Sequence, residues 1–204
     1  MKKSITCQIL ISVFFINSVI GQEKSQALND YLQTIISCCN QELIIKKEKV
    51  SPNVVLELFQ GKPYKDSTTN EAKREGGVSS LIYNEKDYNE MKKEYYDDAN
   101  IEKEYFSKNI FWISDNFKCK KIYFVPNKDY LDLTISRLEQ HLPILKVFSF
   151  SEPMYYSSKK HVVFAVSEGD SESFVNFENY LIIMKREKNK WIVINKTFPY
   201  NVYE

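Results

Sequence analysis

The chain has 204 residues, and its 28 Lys and Arg nearly balance its 27 Asp and Glu, giving a formal net charge of +1 at pH 7. Proteins that bind nucleic acid or anionic membranes carry clustered positive charge, whereas this chain intersperses both signs. Nucleic acid is therefore excluded as a partner.

Residues 1–21 have the three-part pattern of a secretory signal peptide. Two lysines form a basic start, Ile5–Ile20 is almost uninterrupted apolar sequence, and Gly21 offers a small residue for cleavage. A membrane anchor is disfavoured because the apolar run has only about 16 residues, and a spanning helix needs about 20. We therefore expect a secreted or periplasmic protein that is no integral membrane protein after cleavage. Residues 22–204 are expected to form a single α+β domain.

Three cysteines follow the signal peptide: Cys38, Cys39 and Cys119. An oxidising compartment permits a disulfide, and bridging the adjacent pair would be strained, so one of those two with Cys119 is the natural combination. The other interpretation is three small buried apolar side chains. The sequence leaves both open.

The N-terminal half predicts helices separated by a polar insertion. Residues 25–47 have apolar positions at helical spacing, namely Leu28, Tyr31, Leu32, Ile35, Ile36, Cys39 and Leu43. Pro52 and Gly61 bracket Asn53–Gln60 as a short helix, with a strand through Val54–Leu56 as the competitor. Residues 62–80 lack periodicity and predict a long polar surface loop or a disordered insertion.

The middle of the chain alternates helix and strand signals. Residues 84–98 return to helical spacing, and Lys121–Val125 is typical of a strand. A further helix is predicted before Pro143 by the stripe Leu131, Ile135, Leu138 and Leu142. The apolar cluster Ile110–Ile113 fits a helix end or a strand equally.

The C-terminal third predicts an antiparallel meander. Four runs are rich in β-branched and aromatic residues: Ile144–Ser151 continuing into Met154–Tyr156, then His161–Ser167, Tyr180–Arg186 and Trp191–Lys196. The first and second runs, and the third and fourth, are joined by short polar segments that suit hairpins and are too short for parallel crossovers. The expected fold is α+β, with an antiparallel sheet of four or five strands and the N-terminal helices packed on one face. Apolar residues on both faces of the last run predict a strand covered on both sides.

Four short motifs carry a resemblance to a known group of proteins. They are Trp112–Phe117, Phe150–Pro153, Lys160–Phe164 and Lys188–Trp191. Together they resemble a pattern found in uncharacterised secreted bacterial α+β proteins. The resemblance implies a serine-x-proline strand, a core hairpin and a Trp-bearing last strand that close one sheet. It implies secretion and brings no assigned activity.

No arrangement of residues predicts catalysis, a metal site or a cofactor. His141 ends a predicted helix and His161 begins a predicted strand, so each has a structural explanation. Metal-binding motifs, nucleophile motifs and phosphate-binding glycine loops do not occur. We therefore expect no catalytic residues.

Two segments are the best candidates for binding. Met154, Tyr155 and Tyr156 are consecutive, so a regular strand must turn at least one of them away from the core. The loop containing Glu168, Asp170 and Glu172 is acidic, which favours a basic partner or a divalent cation.

The expected function is a non-catalytic binding or accessory protein of the cell envelope, acting on an envelope protein or on a peptide or sugar ligand. The alternative is a small cone-shaped α+β enzyme, of isomerase or hydrolase type, with a pocket near Trp112 and Tyr123. An enzyme requires a concave pocket in which an ionisable group meets aromatic rings.

Overall fold

A computed structural model describes residues 23–36, 41–65, 72–75, 77–98, 104–172 and 177–198. The helices are α1 (23–35), α2 (Pro52–Gln60), α3 (Glu85–Tyr95) and α4 (Tyr130–Glu139). The strands are β1 (Leu43–Lys46), β2 (Glu48–Val50), β3 (Lys62–Lys65), β4 (Ala72–Glu75), β5 (Phe106–Phe111), β6 (Ile122–Val125), β7 (Lys146–Phe150), β8 (Met154–Tyr156), β9 (His161–Asp170), β10 (Glu178–Glu187) and β11 (Lys190–Thr197). The α+β class with a mostly antiparallel sheet is confirmed.

The predicted C-terminal meander forms one end of the main sheet. Strand β9 pairs with β7 and β8 on one side and with β10 on the other, and β10 pairs with β11, always antiparallel. Tight turns join the strands within the β8–β9 and β10–β11 hairpins, with positive φ at Ser157, Ser158, Lys159 and Lys188. The β-branched runs and short polar connections therefore predicted the strands and their direction correctly.

A β-bulge separates β7 from β8. Phe150 pairs with Val166, whereas Met154 pairs with Val163, so the β7–β8 side has one additional residue. The Ser151 hydroxyl accepts a hydrogen bond from the Ala165 N–H at 2.9 Å and takes the place of a backbone carbonyl in the ladder. The bulge lies at Ser151–Pro153, the serine-x-proline motif.

The sheet has seven strands because it also contains β1 and β6. Its order is β11-β10-β9-β7-β1-β6, with β8 paired beside β7 on β9. Strand β1 pairs parallel with both β6 and β7. The predicted single helix over 25–47 is wrong in its second half: α1 ends at residue 35, and Leu43–Lys46 is a central strand. Its apolar side chains are buried on both faces, which suits a strand between two others.

Helices cover both faces of the sheet, not one face as expected. On one face, α1 packs through Leu28, Tyr31 and Leu32. On the other face, α2 and α3 pack over β8–β10, and α4 packs over β1 and β7. The last strand, β11, is covered on one face only: Trp191 is buried in the α1 core, whereas Ile192 and Ile194 are 43% and 41% exposed. The expectation of a doubly covered last strand is therefore wrong.

Local signals explain the shorter elements. Ser51 accepts a hydrogen bond from the Asn53 N–H, Pro52 occupies the first turn, and Gly61 has φ 69° just past α2. Helix α3 begins in the same way at Asn84. The undecided segment around Ile110 is a strand as far as Phe111. Within the expected polar loop over 62–80, β3 and β4 form an antiparallel hairpin.

Candidate functional site

A cavity of about 470 Å³ lies at the end of β7, β9 and β10, beside the predicted acidic segment. Two predicted acidic residues, Glu168 and Asp170, line it because β9 extends to Asp170 and pairs there with Lys146. The register of β9 and β10 places Glu178 opposite Glu168. The cavity wall consists of Gln41, Ile144, Lys146, Glu168, Gly169, Asp170 and Glu178. Three carboxylates and one ammonium group therefore face this space.

Glu168 is the most strongly fixed of these charges. Its Oε1 lies 2.6 Å from Lys146 Nζ, and its Oε2 accepts a hydrogen bond from the Tyr180 hydroxyl at 2.7 Å. Burial opposes ionisation of this carboxyl group, but the Lys146 and Tyr180 hydrogen bonds, with the charges of Lys146 and Lys196, outweigh it and lower its pKa. Glu168 is therefore ionised at neutral pH, with both oxygens engaged.

A pair of buried tyrosines supports Glu168 from the core. The hydroxyl oxygens of Tyr31 and Tyr180 lie 2.9 Å apart, and both residues are buried. Burial is the main cause that raises both pKa values, that of Tyr31 to about 12. Tyr180 thus keeps its proton and donates it in the bond to Glu168. The Lys196 ammonium lies 3.6 Å from the centroid of the Tyr180 ring. Sequence reasoning missed this series of hydrogen bonds from Tyr31 through Tyr180 to Glu168, because its residues lie on three separate elements, α1, β10 and β9.

The remaining predicted acidic residues have different positions. Asp170 accepts a hydrogen bond from the Glu172 N–H through Oδ1, and its carbonyl accepts one from the Tyr130 hydroxyl. Glu172 lies in the following turn, is exposed, and does not line the cavity. The Ser171 hydroxyl between them is buried and accepts from the Leu145 N–H. The acidic segment is therefore a structured turn that brings two of its three acids to the cavity.

An exposed apolar stripe runs along α4 and the segment that follows it. The helical spacing predicted α4 correctly, but the stripe faces outward, while Tyr130 and Thr134 are the buried positions. Its last member, Ile144, is 58% exposed and lines the cavity. The α4 stripe, as we call these side chains, comprises Leu131, Ile135, Leu138, Leu142 and Ile144, each 37–58% exposed.

The predicted aromatic contact segment is buried. Met154, Tyr155 and Tyr156 are 1%, 6% and 3% exposed. The expectation that one of them faces outward is wrong because helices cover both faces of the sheet: Tyr155 packs in the α1 core, and the other two pack under α2 and α3. Met154 lines a second, smaller cavity.

The pocket expected near Trp112 and Tyr123 does not bring those two residues together. Trp112 is buried in the α1 core and donates its indole N–H to the Phe150 carbonyl. Tyr123 is 48% exposed and pairs with Ile44, whose side chain packs on the α4 face. The two rings therefore lie on opposite faces of the sheet.

Among the described residues, no histidine or cysteine lines the cavity. His161 is half-buried, and burial with the charges of Lys185 and Lys160 lowers its pKa. His141 lies in the turn after α4 with φ 52°. Cys119 is buried, and its predicted disulfide partners, Cys38 and Cys39, lie outside the described residues. Within the described ranges, His, Cys, Asp and Glu side chains form no cluster that could hold a metal ion.

Comparison with protein-family models, with curated proteins and with solved structures finds no match for this chain. In the part of the chain that the structure describes, no helix has the length and apolar character needed to cross a membrane.

Proposed function

We propose that the chain is a secreted or periplasmic, non-catalytic binding protein that holds a basic, amphipathic segment of an envelope partner. The observation that carries this proposal is the junction of the α4 stripe with the acidic cavity. Ile144 lines the cavity and lies two residues after Leu142, so the exposed aliphatic side chains of α4 and of the segment after it lead along the chain to a wall with three carboxylates. A segment with aliphatic residues on one face and lysine or arginine at one end complements both parts.

The energetics favour such an occupant. Covering apolar surface stabilises a complex by about 25 cal/mol per Å², so each half-exposed aliphatic side chain of the stripe can contribute about 1 kcal/mol. Lys146 neutralises one of the carboxylates, at Glu168. Asp170 and Glu178 add two further carboxylates to the wall, and this excess of negative charge gives the site its preference for cations.

The protonation states support binding over catalysis. A general base works best with a pKa near the operating pH. The hydrogen bonds of Lys146 and Tyr180 hold the pKa of Glu168 below its usual value, and burial raises that of Tyr180. Both groups are thus suited to a fixed charge and a fixed donor.

The secretion proposal rests on residues 1–21 and on the resemblance to secreted bacterial proteins. Helix α1 is already integrated at its first described residue, since Glu23 binds Arg186 and accepts a hydrogen bond from the Tyr155 hydroxyl. Cleavage after Gly21 would leave these contacts intact. Intact mass of the protein from its native cells tests this, and a mature chain that retains the apolar run would contradict it.

The binding proposal is tested with a synthetic amphipathic peptide of Leu and Lys. We expect the wild-type chain to bind it and the affinity to fall as salt rises, because exposed charge pairs are screened. Asp170→Asn with Glu178→Gln should weaken binding, and so should Leu138→Gln on the stripe. Glu139→Gln is the matched control, because Glu139 is an exposed acid of α4 that does not line the cavity.

Circular dichroism of each variant confirms that the fold is kept. If the double variant binds the peptide as tightly as the wild type at low salt, the acidic cavity is not the recognition site. If Glu139→Gln weakens binding as much as the double variant does, the attraction is only the general charge of α4. Either result would overturn the proposal.

A further inference from the structure

A second cavity, of about 250 Å³, lies at the β-bulge between β7 and β8. Bulges redirect side chains and are frequent beside binding and active sites. Here the bulge places Glu152 against side chains from α1, β2, α3 and β5. The wall consists of Lys24, Lys49, Val50, Pro52, Glu94, Tyr95, Ser107, Ile110, Glu152, Pro153 and Met154. We call this space the bulge cavity.

Two lysines share one carboxylate in the bulge cavity. Lys24 Nζ lies 3.5 Å from one oxygen of Glu152, and Lys49 Nζ lies 3.2 Å from the other. Each lysine side chain is only 15% exposed. Lys24 also lies over the Tyr95 ring at 4.9 Å from its centroid, and Lys49 lies over Trp112 at 4.4 Å. Burial opposes ionisation of Glu152, but the two lysines outweigh it and lower its pKa.

The polar groups of the cavity retain capacity to bind a ligand. An ammonium group has three N–H donors, and the only acceptor found for each lysine within the described residues is Glu152. Ser107 is 4% exposed, and the described part of the chain shows no hydrogen-bond partner for its hydroxyl, which lines the cavity. The Ser107 hydroxyl and the ammonium N–H groups are donors, and a charged acceptor makes the stronger hydrogen bond, so together they suit an oxyanion.

The remaining wall defines the rest of the ligand. Two carboxylates, Glu94 and Glu152, face the cavity together with the two ammonium groups, so a ligand with both charges is balanced there better than a simple anion. Five apolar residues complete the wall, namely Val50, Pro52, Ile110, Pro153 and Met154.

We propose that the bulge cavity binds a free α-amino acid with an apolar side chain. Its carboxylate is held by Lys24, Lys49 and Ser107, its ammonium group faces Glu152 and Glu94, and its side chain packs on Ile110 and Met154. A volume of about 250 Å³ equals that of about eight water molecules at about 30 Å³ each, which suits a single amino acid. This site is separate from the acidic cavity and does not depend on the function proposed for it.

The test is calorimetric titration of the purified chain with leucine and with two analogues that each lack one charge. Isocaproate lacks the ammonium group, and isoamylamine lacks the carboxylate. We expect leucine to bind with a Kd below about 10 mM and isocaproate to bind more weakly. Isoamylamine should not bind, because the lysines repel its ammonium group.

Variants assign the binding to this cavity. Lys49→Gln should weaken leucine binding by about tenfold or more, since a hydrogen bond to a charged group is lost. Ser107→Ala, a smaller change that preserves the fold more safely, should weaken it severalfold. Lys47→Gln is the control: Lys47 is exposed, lies over the Phe111 ring and does not line the cavity. Leucine binding should be unchanged in that variant.

Three results would overturn the proposal. Leucine and methionine could both give no heat with the wild-type chain at about 10 mM, a concentration that detects even weak complexes. Lys49→Gln and Ser107→Ala could both retain wild-type affinity for leucine. Isocaproate could bind as tightly as leucine, which would exclude a role for the ligand's ammonium group.

Discussion

Replacement of Ser151 by Ala tests the bulge that organises the centre of the sheet. The Ser151 hydroxyl accepts from the Ala165 N–H at 2.9 Å, and both residues are almost completely buried. Alanine keeps the backbone bond from the Ser151 N–H to the Ala165 carbonyl but leaves the Ala165 N–H without an acceptor. An unsatisfied buried donor costs about 1–3 kcal/mol. We therefore expect Ser151→Ala to lower the free energy of unfolding by that amount.

Urea denaturation measures the effect. With an m-value of about 2 kcal/mol/M, the midpoint should fall by about 0.5–1.5 M. Ser149→Ala is the matched control: Ser149 is 1% exposed on β7, and its hydroxyl accepts from no backbone N–H among the described residues. Its midpoint should stay close to that of the wild type. Hydrogen exchange at the Ala165 amide should accelerate only in Ser151→Ala. Equal midpoints for the two variants would refute the role of the hydroxyl as an acceptor in the ladder.

Three further outcomes are expected. Trp191→Ala should lower the free energy of unfolding by about 3–5 kcal/mol in urea, whereas Ile192→Ala, at a 43% exposed position, should cost about 1 kcal/mol or less. The pKa of His161 is lowered in the folded chain, so the unfolded chain binds the proton first as pH falls. The free energy of unfolding should therefore decrease as pH drops from about 6.5 to the folded pKa. In denaturation experiments at several pH values, His161→Gln should make this pH dependence weaker. Tyr180→Phe removes a donor to Glu168 and should raise the carboxyl pKa in an NMR titration; an unchanged value would mean that Lys146 alone sets it.

The sequence predicted the strands of the meander because their signals are local. The β-branched runs and the polar turns between β8 and β9, and between β10 and β11, specify hairpins without reference to the rest of the chain. Strand β1 gave no such signal. Leu43 continues the helical spacing of α1, and the residues that make β1 a strand are its parallel partners in β6 and β7, about 80–100 residues later. The helix predicted from the periodicity of α1 therefore ran on through β1.

The candidate sites were predicted only in part for a related reason. Periodicity identified the α4 stripe but not its direction, because direction depends on which side chains fit against β1 and β7. Composition identified Glu168 and Asp170 as an acidic segment. It did not identify Lys146, Tyr31 or Tyr180, whose contacts with Glu168 arise from strand register and from α1 crossing the sheet. The bulge cavity likewise assembles from six separate helices and strands and from the bulge itself.

The position of β1 between two parallel neighbours has a consequence for how the chain assembles. In synthesis or export from the N-terminus, β1 emerges well before β6 and β7, and α4 joins those two strands across the gap that β1 fills. The hairpins of β9–β11 close short loops, whereas seating β1 closes loops of about 80–100 residues, with an entropic cost that grows with the logarithm of loop length. We therefore expect the docking of this four-residue strand to limit the folding rate, and the apolar segment Leu43–Ile45 to remain unpaired until β6 and β7 have been made.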